Sequence, residues 1–324
     1  MMNYFILLLL MGYANTFFPL NVLNVHEPKP VTAKLLVSTD EGRSWSNIGK
    51  DLPEDLRLST IIPFRTSFYL GTQKGIYKSN FLFPKTYWEI TNDSETQIMN
   101  AYTFNNNLYM TTIWHGLNMF SPISGKLVKM KENLPIENVS SMVNVSNSQL
   151  FYCSDYGIFK STDSGKSWTK RYNKSRIWTM AKSKDNIIAG GTNGIWISDL
   201  KGEQWSQTLV TEGVVSWIFE AEDEVLAIAA NESQFLNLPN AVWVSRNQGK
   251  SWKQVNLVAP MTKIYQIIKT KTYYFVSCND GIYRAKDLSS KWEKVHSLSP
   301  SDNGFYTLFP YDHYLFCILK DLGC

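Results

Sequence analysis

Turn phrases that return about every forty residues, four short apolar runs within each period and an absence of helical periodicity predict an all-β fold. The expected architecture is a seven-bladed β-propeller of four-stranded antiparallel blades, closed by a blade shared between the N- and C-termini. The first phrase reads VSTDEGRSW at Val37–Trp45, KSTDSGKSW at Lys160–Trp168 and VSRNQGKSW at Val244–Trp252. The second is a glycine turn between apolar runs: GTQKGIYKSN (Gly71–Asn80), CSDYGIFKSTD (Cys153–Asp163), GGTNGIWISDL (Gly190–Leu200) and SCNDGIYRAKD (Ser277–Asp287). A tryptophan closes most units, at Trp45, Trp88, Trp168, Trp205, Trp252 and Trp292, and Leu127 stands in the double gap after Trp88. Aromatic residues are 14% of the chain, which suits strands.

Taken in order, the chain opens on an apolar run, Tyr4–Met11, followed by Gly12-Tyr13-Ala14. That pattern predicts a cleaved signal peptide over residues 1–14, with an uncleaved anchor or a buried strand as the alternatives, and the run is too short to span a bilayer. Residues 15–32, with Pro19, Pro28 and Pro30, read as a linker. Residues 33–324 are assigned to the propeller. One unit spells out all four strands: Leu58–Phe64 innermost, Ser67–Thr72 second, Gly75–Asn80 third and Tyr87–Thr91 at the outer edge. Six units have inner strands that start near Leu58, Ile98, Val139, Ile177, Val214 and Ile264. The head, AKLLVSTDEGRSWSNIG, supplies two strands of a seventh, and the tail, FYTLFPYDHYLFCILKD, supplies the other two. Sharing a blade in this way removes the exposed edges of an open sheet.

Composition narrows the function classes. The net charge is +4, both signs are scattered and no basic run occurs, so no nucleic-acid partner is indicated. No second long apolar run follows the first, so a soluble mature chain without membrane insertion is expected. Cys153, Cys278 and Cys317 fall inside apolar runs and read as buried thiols; Cys324 ends the chain. His26, His115, His296 and His313 are scattered, and no Cys/His cluster has metal-ligand spacing. Neither a metal nor a cofactor is expected. Five N-x-[ST] sequons start at Asn92, Asn138, Asn144, Asn173 and Asn231, usable only in a glycosylating secretory pathway.

STDEGRSW and STDSGKSW resemble the Asp-box, S-x-D-x-G-x-[ST]-W, of bacterial-neuraminidase-repeat (BNR) β-propellers. The matching residues are Ser38, Asp40, Gly42, Ser44 and Trp45, then Ser161, Asp163, Gly165, Ser167 and Trp168. Ser245, Asn247, Gly249, Ser251 and Trp252 form a third with Asn in place of Asp, and Ser198–Trp205 and Lys286–Trp292 are degenerate echoes. The resemblance places the chain beside the sialidase-like superfamily, photosystem-assembly-type propellers and sortilin-type receptors. The turn lies between the third and fourth strands and reads as a joint. Its Asp accepts backbone N–H groups, its Gly supplies an unusual backbone conformation and its Trp buries a ring. One carboxylate per turn is too few oxygens for a calcium cage.

A ligand is expected on the face opposite these turns. At the starts of inner strands that face would carry Arg57, Arg176, Trp178, Glu212 and Trp217, with Gln97, Gln266 and Asn303. From other loops it would carry Trp114, His115, Asp155 and Tyr156, with Asn193 and Asp280, and the loop Ala229–Ala241 would cover part of it. Sialidases, by the resemblance, hold a substrate carboxylate with three arginines and use a Tyr activated by a Glu and an Asp acid/base. Of seven arginines here, only Arg57 and Arg176 point to that rim. The function expected is therefore a secreted or periplasmic, non-catalytic, monomeric scaffold that binds a protein or glycan. The alternative is a glycoside hydrolase of the sialidase-like superfamily.

Overall fold

The computed structural model describes residues 34–321 except 81–85, 93–95, 114–115, 131–138, 147, 231–239, 258–260, 262, 301 and 303. The expected signal peptide and linker lie outside the described residues, as does Cys324.

The chain starts with β1 (Leu35–Ser38) and β2 (Ser46–Asn47), joined by the first repeated turn. β3 (Leu58–Phe64), β4 (Ser67–Thr72), β5 (Gly75–Ser79) and β6 (Glu89–Asn92) then pair in sequence order as one antiparallel sheet. The first two have the bounds expected from the sequence. The next sheet is β7 (Ile98–Phe104), β8 (Asn107–Thr112), β9 (Gly116–Ser121) and β10 (Lys126–Lys129). The third is β11 (Ser141–Asn144), β12 (Leu150–Ser154), β13 (Gly157–Ser161) and β14 (Thr169–Tyr172), its inner strand starting after the expected Val139.

Packing explains the composition of each position in a blade. Second strands are covered on both faces, so β4, β12 and β22 (Tyr274–Cys278) are buried throughout and nearly all apolar or small. Outer strands have one open face and edge, so β2 and β10 are largely exposed. The glycine that opens several of the third strands has a steric cause where it meets the outer strand. A Cβ on Gly157 would lie 1.8 Å from the Tyr172 carbonyl oxygen of the outer strand, and Gly157 has φ +113. Gly194 and Gly281 meet Leu209 O and His296 O in the same way.

The blade count departs from the sequence-based expectation. Two separate blades were expected with inner strands near Ile177 and Val214. Instead β15 (Ile177–Lys182), β16 (Asn186–Asp199), β17 (Ser206–Ala221), β18 (Glu224–Ala230), β19 (Ala241–Ser245) and β20 (Lys253–Val255) form one six-stranded sheet. The described residues therefore make six blades, not seven. Thr211–Gly213, which were expected to separate the two blades, stay in strand conformation, so β17 runs unbroken and Val214 pairs with Thr192. The repeat remains visible within this sheet. Asn193 and Gly194, midway along β16, have φ of 70 and 137 and turn the chain. The two halves of the sheet pack on each other through Ile188, Ile195, Val215 and Ile218.

β21 (Ile264–Lys269), β22, β23 (Gly281–Ala285) and β24 (Glu293–Ser297) form the next sheet. β25 (Gly304–Tyr311) and β26 (Tyr314–Asp321) complete the last, in the order β2-β1-β26-β25. Leu35, Leu36, Val37 and Ser38 are in register with Ile318, Cys317, Phe316 and Leu315, so head and tail share this sheet as the sequence led us to expect. Phe316 and Ile318 pack toward β3 and β4, while Cys317 and Leu319 pack toward β22. Burying side chains of this size contributes about 1.5–3 kcal/mol each. Cys153, Cys278 and Cys317 are free and buried, and burial pushes the Cys278 thiol up to about 12, away from reactivity.

Candidate functional site

The repeated turns share one hydrogen-bond plan. Ser38 donates its hydroxyl to Asp40 Oδ1 at 2.8 Å and accepts the Gly42 N–H at 2.8 Å. Asp40 then accepts the Ser44 N–H at 2.9 Å and the Ser44 hydroxyl at 2.7 Å. Ser161, Asp163, Gly165 and Ser167 repeat every bond. In the third turn Asn247 Oδ1 still accepts from Ser245 and from the Ser251 N–H, but its amide donates to the Ser251 hydroxyl at 2.8 Å. Glu41, Ser164 and Gln248, with φ of 59, 60 and 61, show that the backbone takes the same path each time.

These turns are joints between neighbours in the ring. A Cβ on Gly42 would lie 2.7 Å from the Phe275 ring, and one on Gly249 would lie 2.6 Å from Ile188. Gly202, in the degenerate echo, would meet Phe151 at 2.2 Å. Phe275, Ile188 and Phe151 each belong to a second strand of the preceding repeat. Trp168 and Trp252 fold back and donate Nε1 to Gly165 O and Gly249 O, both at 3.1 Å, and Trp45 is partly buried against the same cluster as Phe275. The Ser167 hydroxyl, with further backbone and side-chain donors, holds the Asp163 carboxyl down to about 2. Its oxygens are occupied by donors of the turn itself. Among the described residues no group of three or more His, Cys, Asp or Glu is placed to hold a metal.

The opposite ends of the strands carry some of the residues expected on a ligand-binding face. Tyr156, in the β12–β13 turn, is 60% exposed and Asp155 beside it is exposed. Arg176 precedes β15, with its carbonyl accepting the Thr192 N–H at 3.0 Å and its side chain exposed. Trp178 occupies a β-bulge, where the register jumps from Ile177 to Thr179, and is 36% exposed. Bulges re-aim side chains, and this one turns a large ring outward. Glu212 is exposed on the short join inside β17. Arg57, just before β3, is exposed; its N–H donates to Gln73 Oε1 at 2.6 Å and its carbonyl accepts the Gln73 N–H at 3.2 Å. Topology thus brings Asp155, Tyr156, Arg176, Trp178 and Glu212 to one end of two adjacent sheets, with Arg57 on another sheet.

Two expected rim residues are placed elsewhere. Trp217 lies in the wall of the central channel and donates Nε1 to Ile267 O at 2.9 Å. Gln266 is 3% exposed and its amide is spent on the Leu308 backbone. Bulges at Val215/Trp217 and Ile264/Gln266 shift the alternation by one residue, which a simple two-residue period does not reveal. Trp114, His115, Asn303 and most of the Ala229–Ala241 loop lie outside the described residues.

A buried ionic network was not anticipated. Glu224, whose side chain is 2% exposed, accepts from the Tyr274 hydroxyl and from Lys269 Nζ at 3.0 Å, with Arg246 Nε 3.6 Å away. Burial, then the Glu224 carboxylate, pushes the Tyr274 hydroxyl up to about 12. An activated tyrosine needs the opposite shift and an open approach, so this pair ties strands together and does not attack a substrate. The only trace in the sequence is an acid, Glu224, at the head of an otherwise apolar second strand.

No family model matches the chain, and no curated protein matches it. Solved structures do. YCF48 bound to D1 peptide is 11% identical, with 84% of this chain and 94% of that chain covered at a TM-score of 0.60. The extracellular domain of BT4673 from B. thetaiotaomicron is 12% identical, with 81% and 38% covered at 0.59. The GH74 xyloglucanase from Xanthomonas campestris is 10% identical, with 83% and 53% covered at 0.59. The fold is a β-propeller. The chain spans under two fifths of the BT4673 domain and about half of the xyloglucanase, but nearly all of YCF48.

Proposed function

We propose that this propeller is a non-catalytic scaffold that binds a protein or glycan partner across the face opposite its repeated turns. The observation that carries the reading is the cluster of exposed Asp155, Tyr156, Arg176, Trp178 and Glu212 at one end of adjacent sheets, with Trp178 turned out by a bulge. Aromatic and arginine side chains on a rigid frame are the usual anchors of recognition surfaces. Structural likeness to YCF48, solved with a bound D1 peptide, and to an extracellular propeller domain supports a binding role. We further propose that the repeated turns are Asp-boxes of the BNR type, that residues 1–14 are a cleaved signal peptide, that residues 15–32 are a linker and that the mature chain is secreted or periplasmic.

Glycoside hydrolysis is the second reading, favoured only by the likeness to the GH74 xyloglucanase. Bidentate arginine clamps are not replaced by other residues, and this rim offers Arg57 and Arg176 alone among the described arginines. The test pairs two assays on purified protein. A glycan array and a partner capture from the native envelope or medium should give a ligand that Arg176→Ala/Trp178→Ala loses and Asp163→Ala keeps. Incubation with a fluorogenic sialoside and a xyloglucan oligosaccharide should give no turnover. Turnover abolished by Arg57→Ala or Arg176→Ala would replace the scaffold reading with the enzyme.

A further inference from the structure

The central channel holds a cavity of about 250 Å³ between the inner strands β3, β17, β21 and β25. Its wall includes Pro63, Trp217, Phe219, Gln266, Pro310 and Tyr311. The sequence removes polar groups from this wall in two ways. β3, β21 and β25 are edges of their sheets, and beyond Val214 β17 pairs with β18 alone, so unpaired N–H and C=O groups face the channel. Proline is tolerated in a strand where its missing N–H is not needed by the ladder, so Pro63 and Pro310 delete donors from the channel side. They occupy equivalent places, Pro63 opposite Phe68 and Pro310 opposite Leu315, each one residue before the hairpin closes.

Two polar side chains of the wall, Gln266 and Trp217, are already used. Gln266 donates Nε2 to Leu308 O at 2.9 Å and accepts the Leu308 N–H at 2.6 Å. Trp217 Nε1 is held by Ile267 O. Water needs two to four polar partners and finds few here, whereas an apolar cavity of about 150 Å³ suffices for benzene. Tyr311, 43% exposed and edge-on to Phe68 at 5.6 Å, stands at the opening near the turns that join first and second strands. A charged or strongly hydrogen-bonding ligand would be desolvated here without compensation.

We propose that this cavity is a binding site for a small, flat, uncharged apolar molecule of fused-ring size. The site lies in the channel and is independent of the exposed face described above. The probe is naphthalene, titrated into the full chain and followed by calorimetry and by tryptophan fluorescence. For a ligand of about ten carbons a Kd on the order of 10–100 μM is expected. Naphthalene-2-sulfonate should not bind. Ile61→Trp, which fills the cavity, should weaken naphthalene binding about tenfold or more, while Trp178→Ala leaves it unchanged. Should Ile61→Trp fail to fold, Phe219→Ala enlarges the cavity and should raise the affinity for phenanthrene relative to naphthalene about tenfold over the parent chain. The proposal is overturned if naphthalene does not bind, if a folded Ile61→Trp binds it as well, or if the sulfonate binds equally. Binding of N-acetyltryptophanamide in place of naphthalene would also overturn it, and would assign the cavity to a partner's aromatic side chain.

Discussion

Asp163 carries the chemistry of its turn in three accepted hydrogen bonds, and its titration gives that turn a pH signature. Its folded pKa of about 2 lies below the ordinary 3.8. A depressed carboxyl pKa stabilises above the unfolded value and the contribution fades as pH falls toward the folded one. The stability difference between the parent chain and Asp163→Asn should therefore be constant above about pH 5 and shrink between pH 4 and pH 2. Thermal melts across that range check it. The effect is small because the carboxylate is exposed to solvent screening. Glycine substitutions should cost more. Gly42→Ala adds a strained φ of +80 and a 2.7 Å approach to Phe275, and a loss of about 1–3 kcal/mol in a denaturant titration is expected. Gly202→Ala, at 2.2 Å from Phe151, should cost at least as much.

At the scale of elements, Glu224 joins β18 to Lys269 at the end of β21, Tyr274 at the start of β22 and Arg246 in the β19–β20 turn. Removing one partner of a buried charge network leaves the others uncompensated, so Glu224→Ala should destabilise by about 3–5 kcal/mol. Asp223→Ala, whose side chain is 75% exposed although paired with the same Lys269, should cost about 1 kcal/mol or less. Denaturation midpoints of the two variants separate the cases. Much of the element plan was legible in the sequence. Leu58–Phe64 and Ser67–Thr72 announced themselves by alternation and by the turns that bound them, and the head and tail were recognisable halves of one sheet. The merged sheet was not legible, because Thr211–Gly213 reads like any polar turn, and its strand conformation shows only once Val214 is seen paired with Thr192. Trp217 and Gln266 were misjudged for a related reason: a bulge leaves no residue signature, yet it decides which side chains face the channel. The channel prolines, Pro63 and Pro310, were visible but silent until their strands became neighbours.

For the whole molecule, closure rests on few bonds. β1 is four residues long and its outer neighbour β2 is two, so the sheet that joins the ends depends on the ladder from Leu35 to Ser38 and on the Lys34–Asp302 ion pair. Deleting residues 34–47 should leave β26 as an open apolar edge and drive association. Size-exclusion chromatography would show higher-order species, and a deletion variant that stays monomeric with an unchanged melting temperature would refute the dependence.

The same sheet imposes an order on synthesis. Lys34 and Asp302 are separated by 268 residues, and ribosomes add about 5–20 residues per second. Leu35, Leu36 and Val37 therefore wait roughly 15–50 s after translation before β26 exists to receive them. Local sheets assemble from neighbours meanwhile, but the chain ends must find each other last, at the largest loop-closure cost in the molecule. A nascent chain arrested before Gly304 should be cleaved by protease at Leu35–Val37 and retained by chaperones, and release of the last two strands should end both.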